Sequence, residues 1–265
     1  MWRYACRPPS PPSITRHMRW PPQALHLRRV VCSTWRGSGA ALWACAVVWP
    51  SLANARIIEH ATGMIAAGQA LAANANQPAV RSAVWQRGDL LAQREFTADL
   101  ISLAYVLGEL DAGERAQLVA QLAASGKSLL IVEPGTPAGF AIMRAVRAQL
   151  IAAGMQIAAP CPHQNACPMP ADDWCHMAQR IARIPIQRRV KGAELGYEDE
   201  KCSYVAAVQA APAPIAGRVI RRPEARSGLI TLHLCTPDGL CREQISRRDP
   251  RWRQARDLGW GDALE

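Results

Sequence analysis

The chain has 265 residues, enough for one or two domains, and its 49% hydrophobic content supplies a core. No run of about 18 purely apolar residues occurs, so no obvious membrane span is present and no membrane partner is expected. The formal net charge of +10 points at first to a polyanionic partner, but residues 1–58 alone contribute +8, with eight Arg and no Asp or Glu, against −1 from 59–160 and +3 from 161–265.

In chain order, residues 1–36 are rich in Pro, Arg and Trp and show neither helical nor strand period. They read as a disordered segment, or as foreign coding sequence joined near Arg36 by a truncated or frame-shifted reading frame. The stretch GAALWACAVVWPSLANA imitates a secretory signal, with an apolar run over 40–49 and an Ala53-Asn54-Ala55 triplet. Its basic flank is too long for that role, and the prolines upstream oppose the amphipathic helix of an organellar transit peptide.

From Ala55 strands and helices alternate. ARIIEH (55–60) is a short apolar strand, TGMIAAGQALAANA (62–75) a helix, and AVRSAVW (79–85) a strand. ADLISLAYVLGEL (98–110) opens as a buried strand and leads to a helix over 112–124. SLLIVEP (128–134) is a further buried strand, and 139–154 a helix closed by Gly154. This order predicts an α/β domain over 37–159, a parallel sheet covered on both faces, with its first strand incomplete. A cysteine-rich region with short C-terminal strands at 203–208, 217–222, 228–234 and 242–246 fills 160–265, and a helix near 250–258 follows.

Ligands of such sheets bind at the carboxyl ends of the strands. Glu59, Asp89, Tyr105 and Glu133 all fall at that rim. Gly37-Ser38-Gly39 precedes an apolar helix, as a turn that lets backbone approach a nucleotide does, and Glu59 stands where an acid accepts hydrogen bonds from ribose hydroxyls. Gly37, Gly39, Glu59 and Asp89 are therefore the candidate cofactor-binding residues. A lone G-x-G equally suits a simple helix N-cap turn.

Three of nine cysteines cluster as C-x5-C-x7-C, at Cys161, Cys167 and Cys175, in APCPHQNACPMPADDWCHMAQR. Thiolates are soft ligands, so such a loop points to zinc or iron–sulfur. The spacing matches neither the paired C-x2-C of zinc ribbons nor the ferredoxin run, and it leaves the metal open. His163 and His176 lie beside the thiols as alternative ligands or neighbours. Cys202 reads as a packing position. An odd number of cysteines in an α/β chain favours a reducing compartment over a disulfide framework.

Several separated motifs then occur in one order: YVLGELD (105–111), VEPGTPAGF (132–140), the cysteine segment, VKGAELGYEDEKCSYVAA, and LCTPDGL with SRRD (234–249). Over roughly 37–265 the chain resembles the methyltransferase-like proteins of the small ribosomal subunit, which act as mitochondrial assembly factors and have bacterial relatives. The resemblance implies an α/β, class I S-adenosylmethionine-dependent methyltransferase-like (Rossmann-like) sheet, with a Cys-rich iron–sulfur insertion and a small C-terminal β region. It implies a [4Fe–4S] cluster on Cys161, Cys167, Cys175 and Cys235, with zinc as the alternative metal, and a fold able to bind S-adenosyl-L-methionine. Partners would be the rRNA and proteins of the small ribosomal subunit, in the cytoplasm of a bacterium or the mitochondrion of a eukaryote. Cys241 is the likeliest-placed substitute for Cys235. The sequence VVCSTWRGSGAALW departs from the family's first strand and turn, which predicts a compromised cofactor pocket.

Relatives of this kind are thought to have lost methyl transfer, so no catalytic residue is assigned. The segment after the fourth strand reads Ala104-Tyr105-Val106-Leu107 and lacks the polar-Pro-Pro-aromatic motif of amine-methylating enzymes. Two rival readings are an active S-adenosylmethionine-dependent RNA methyltransferase and a zinc-stabilised RNA-binding domain. Arg clusters at 180–191, 218–226 and 247–256 suit a phosphate-rich partner, and YEDEK (197–201) suits a salt-bridge network with the neighbouring arginines.

Overall fold

Side chains of the central strands alternate between two cores, and this alternation builds the molecule. In the computed structural model, which describes residues 29–34, 39–93, 95–96 and 98–264, Ile57, Leu100, Leu130 and Ala206 face one layer of helices. Ile58, Ile101, Leu129, Ile131 and Val205 face the other. Successive side chains of a strand point to opposite faces, so runs apolar at both parities must be covered twice.

The main sheet contains β1 (Arg29–Thr34), β2 (Asn54–Glu59), β3 (Val84–Arg87), β4 (Leu100–Ala104), β5 (Ser128–Pro134), β6 (Gln156–Ala159), β7 (Met177–Ala182) and β8 (Tyr197–Val208). Its order is β3-β2-β1-β4-β5-β8-β6, with β7 paired to the free half of β8. The first five strands are parallel, and β8 runs antiparallel to β5, β6 and β7. This is the class I methyltransferase-like sheet, in which the strand order switches direction at β1, between β2 and β4.

Helices α1 (Ala40–Val48), α2 (Thr62–Ala72) and α3 (Pro78–Arg81) lie beside the first core, through Leu42, Cys45, Ala72 and Val80. Helices α4 (Ala112–Ala124) and α5 (Pro137–Ala152) cover the second, through Leu118, Leu122, Met143, Val146 and Leu150. A capping box starts α4: Asp111 Oδ1 accepts from the Glu114 N–H at 2.8 Å, and Glu114 Oε2 from the Asp111 N–H at 3.0 Å.

The expected limits of the α/β domain need correction at both ends. The segment 1–36 does not all lie outside the sheet: Arg29–Thr34 is its central strand, in register with both β2 and β4. Its β-branched residues Val30, Val31 and Thr34 favour a strand. The first strand is therefore in place rather than incomplete, and the signal-like run 40–48 is a core helix of the same domain. Nor does the sheet stop at 159, because β8 inserts between β5 and β6. The strand expected over 79–85 divides into α3, with Pro78 at its first turn, and β3.

A second sheet holds β9 (Gly217–Val219), β10 (Glu224–Arg226), β11 (Leu229–Thr236), β12 (Gly239–Ser246) and β13 (Ala263–Leu264). Its order is β10-β11-β9-β13, with β12 on the other side of β11. Helix α6 (Pro185–Lys191) sits in the connection from β7 to β8, and α7 (Trp252–Asp257) packs Trp252 and Ala255 against Val219, Ile230, Leu232 and Leu234. The chain does not end at the predicted helix; its last strand returns to pair with β9.

The VEPGTPAGF motif has a steric explanation. A Cβ on Gly135 would lie 2.6 Å from Lys201 Cβ and 2.8 Å from the Cys202 backbone nitrogen, and one on Gly139 would lie 2.1 Å from the Pro134 carbonyl oxygen. Both glycines let the start of α5 and the end of β5 press against backbone.

Candidate metal centre and the strand-end rim

The cysteine loop, 160–176, leaves β6 and crosses to the start of β7 with no helix or strand of its own. Side chains fasten it instead. Gln164 bonds both the N–H (2.7 Å) and the carbonyl (2.9 Å) of Ile157. Ser203 Oγ donates to the Cys175 carbonyl at 2.8 Å, and Trp174 Nε1 to the Gly135 carbonyl at 3.0 Å. From the second sheet, Arg221 grips the Asp173 carboxylate at 2.6 Å and 2.7 Å, and Arg218 Nε donates to the Pro160 carbonyl at 2.8 Å.

These ties bring Cys161, Cys167 and Cys175 together with Cys235, near the end of β11, around one cavity of about 50 Å³. Met169, Ile220 and Phe140 give it an apolar wall. Burial pushes the Cys161 thiol up, against the opposing pull of Arg147. Burial, then the neighbouring Cys161, Cys167 and Cys235, also pushes Cys175 up. Cys235 is pushed up to about 12 by burial and then by Cys161 and Cys167. The thiols thus disfavour one another's ionisation, and a cation among them would reverse that balance.

Among the described residues no group of three or more His, Cys, Asp or Glu side chains is placed to hold a single metal ion. His163 and His176 are both buried. His163 Nε2 lies 3.6 Å from Cys235 Sγ. Burial, then Arg147, holds His163 below the usual imidazole range, which keeps it neutral. His176 is likewise lowered by burial and sits between Trp174 and Trp260, with ring centroids 5.3 Å and 4.9 Å away.

The register separates Cys235 from Cys241. Cys235 pairs with Leu240, and Cys241 with Leu234, so the two thiols stand on opposite faces of the β11–β12 ribbon. Cys202, read from sequence as a packing residue, instead lines the cavity wall. Its partner across β5–β8 is Pro134, and the alternation Cys202, Tyr204, Ala206 along β8 was the available signal.

At the carboxyl rim of the parallel strands, Glu59 ends β2 and is buried. Its Oε1 accepts from the Ala61 N–H at 2.9 Å, while Oε2 is buried with no hydrogen-bond partner among the described residues. Asp89 follows β3 and closes a local turn by accepting from the Leu91 N–H at 2.9 Å. Gly39 sits at φ 80 immediately before α1, in the left-handed region that suits glycine. A Cβ there would also meet the Trp85 ring at 2.7 Å, so this glycine serves packing as well as the turn. Gly37 lies outside the described residues. Tyr105 follows β4 at φ 59, uncommon for a residue with a side chain. Glu133 faces inward: Oε1 accepts from the Leu107 N–H at 2.8 Å, and burial raises its carboxyl above the usual range despite backbone N–H groups nearby.

The YEDEK segment forms ion pairs. Glu198 meets Arg183 at 2.9 Å and Lys191 at 2.7 Å, and Asp199 meets Arg180 at 2.7 Å. No helix among the described residues is long and apolar enough to cross a membrane.

Comparison with known proteins now adds to the geometry. The sequence profile of the family described as Mitochondrial small ribosomal subunit Rsm22 matches residues 26–265. The chain is similar to the Homo sapiens protein named Ribosome assembly protein METTL17, mitochondrial, at 28% identity over 254 residues, which cover 86% of this chain and 53% of that protein. It therefore spans about half the length of the curated relative it matches. Among solved structures it is similar to the glycopeptide N-methyltransferase MtfA, at TM-score 0.44 and 14% identity over 71% of this chain and 85% of that one. It is also similar to human N-acetylserotonin methyltransferase in complex with SAM, at TM-score 0.40 and 16% identity over 70% and 48% of the two chains. A third is magnesium protoporphyrin IX methyltransferase from Synechocystis PCC 6803, at TM-score 0.41 and 14% identity over 68% and 69%. Since the family profile matches all but the first 25 residues, the chain belongs to the Mitochondrial small ribosomal subunit Rsm22 family.

Proposed function

We propose that this protein supports assembly of the small ribosomal subunit, or translation on it, as a methyltransferase-like protein that binds rRNA and ribosomal proteins without transferring methyl groups, and that it carries a [4Fe–4S] cluster on Cys161, Cys167, Cys175 and Cys235. The observation that carries the cluster is the convergence of four thiols, from a loop and a distant strand, on one cavity. The donor set fits the group: all-thiolate ligation is what iron–sulfur clusters use. A lone zinc ion needs its ligands drawn within about 2.3 Å of one point, and no such grouping exists among the described residues. A larger inorganic core suits sulfurs spread around a cavity wall.

When bound, the cluster would cross-link the loop to the second sheet, as metal binding is coupled to folding. The chain's own residues prepare that role. Ser203, Trp174 and Gln164 hold the loop on the first sheet, and Arg218 and Arg221 hold it to the second. The result would be a rigid mount for the exposed Arg188, Arg189, Arg222 and Arg226, which suit a phosphate backbone.

The rim supports S-adenosyl-L-methionine binding at Glu59, whose buried, unpartnered Oε2 is an acceptor of the kind a ribose hydroxyl needs. Asp89 and Gly39 would flank it. The strand-four turn offers Tyr105 and no polar group to position a nucleophile, which favours a binding role over methyl transfer.

Anaerobic purification with a visible spectrum and iron, sulfide and zinc analysis tests the cluster; a colourless, zinc-loaded protein would overturn it. Methyl transfer from labelled cofactor to naked or subunit-bound small-subunit RNA tests activity, and clear incorporation would favour the active-methyltransferase reading. Failure to co-sediment with small ribosomal subunits would sink the assembly role.

A further inference from the structure

The cavity has a second feature that its thiols do not explain. Arg147 and Arg218 are buried, at 4% and 2% exposure. Among the described residues neither forms an ion pair with a carboxylate. Arg147, on α5, points Nε at Cys161 Sγ at 3.2 Å and donates Nη2 to the His163 carbonyl at 2.7 Å. Arg218, on β9, donates Nε to the Pro160 carbonyl at 2.8 Å and Nη1 to the Gly261 carbonyl at 2.9 Å. Guanidinium groups do not deprotonate in proteins, so each remains a cation. Among the described residues their partners are backbone carbonyls and, for Arg147, the Cys161 thiol and the His163 ring at 3.4 Å; none is a carboxylate, the counter-charge that such burial normally requires.

We propose that Arg147 and Arg218 are the counter-ions of an anionic four-thiolate metal centre at Cys161, Cys167, Cys175 and Cys235. The proposal rests on the metal-centre reading above. Four thiolates around a doubly positive [4Fe–4S] core leave a dianion. Arg147, from α5, meets Cys161 Sγ directly, and Arg218, from β9, holds the Pro160 carbonyl next to it; their two charges would offset that dianion. The arrangement is the inverse of a buried ion pair with one partner removed: without the metal the two cations are uncompensated, and with it the thiolates supply the missing charge. Arg147 and Arg218 are positioning and charge-balancing residues and touch no substrate.

The test uses the full chain purified without oxygen, as wild type, Arg147→Gln, Arg147→Lys and Arg218→Lys. Iron, sulfide and zinc are measured per chain, and metal loss to a chelator is followed over time. For iron-loaded protein the reduction potential is titrated by visible absorbance. Arg147→Gln should retain metal about 10–100-fold less well and, if it holds a cluster, show a lower potential, because reduction adds negative charge that the cation no longer offsets. Both Lys variants keep the charge and should stay close to wild type. Wild-type retention and potential in Arg147→Gln would overturn the proposal. Equal loss in Arg147→Lys and Arg147→Gln would also overturn it, by placing the effect in guanidinium shape. Wild-type protein with neither iron nor zinc would defeat the metal-centre reading itself, before any variant is compared.

Discussion

Trp174 donates its indole N–H to the Gly135 carbonyl at 3.0 Å, which ties the middle of the cysteine loop to the turn that ends β5. The same turn receives β8, since the Gly135 N–H donates to the Lys201 carbonyl at 3.0 Å. The strand-end rim and the thiol cavity therefore share one backbone joint. Trp174→Phe removes the bond and keeps an aromatic ring beside His176. It should cost about 1 kcal/mol and expose the loop to protease sooner. An unchanged urea midpoint and cleavage rate would mean the joint is slack.

Glycine at 139 is dictated by backbone, because the nearest obstacle to a Cβ is the Pro134 carbonyl oxygen. Gly139→Ala should destabilise by about 1–3 kcal/mol, although alanine favours helices. Gly63, in the first turn of α2 with open space around it, is the contrast. There Gly63→Ala should be neutral or stabilise by up to about 1 kcal/mol. Denaturant unfolding of the two variants should show opposite or clearly unequal shifts.

Helix α4 depends on its cap. Asp111 and Glu114 satisfy each other's backbone N–H groups, so Asp111→Ala should cost about 1 kcal/mol. Asp111→Ser, which preserves the acceptor, should recover most of it in the same unfolding assay.

The β7–β8 hairpin should weaken in acid. Hydrogen bonding to Lys191, then to Arg183, holds the Glu198 carboxyl below its ordinary range, and Arg180 does the same for Asp199. Groups lowered in the folded state stabilise it above the unfolded value, about 4 for carboxylates, and that contribution is lost as pH falls through the folded values. Glu200 runs the other way: burial, then Glu198, raises it, so its share is present at low pH and lost as pH rises through the folded value. Amide exchange of the hairpin, corrected for intrinsic rate, should accelerate on acidification in wild type and less so in Glu198→Gln. Identical pH profiles would remove these pairs from the account.

Cysteine replacements should separate the two C-terminal thiols. Cys235→Ser should lose the metal centre, while Cys241→Ser should keep it, because Cys241 faces away across the ribbon. Iron and sulfide content of the two anaerobic proteins checks this; retention in Cys235→Ser with loss in Cys241→Ser would reverse the assignment.

Local signals carried much of this protein. The apolar run Ser128–Pro134 is β5 as expected, the helix over 112–124 is α4, and the motif order pointed to the family that the profile match supports. Ion pairing of YEDEK followed from the arginines around it. The spacing of Cys161, Cys167 and Cys175 located the loop because thiolate chemistry is local and its residues are few.

What sequence left open was long-range. The strand Arg29–Thr34 was hidden by the aperiodic segment before it, and only its pairing with β2 and β4 reveals it as the centre of the sheet. The resemblance named Cys235 with Cys241 as its substitute, but that the two face opposite sides of the ribbon depends on strand register, which alternation alone does not fix. Cys202 and Arg147 come to the cavity from β8 and α5, and Arg218 reaches the Pro160 carbonyl beside it from β9, so no spacing could announce them. Side-chain type and local period follow from covalent chemistry read residue by residue; which charges share a buried space is decided only when distant segments pack together.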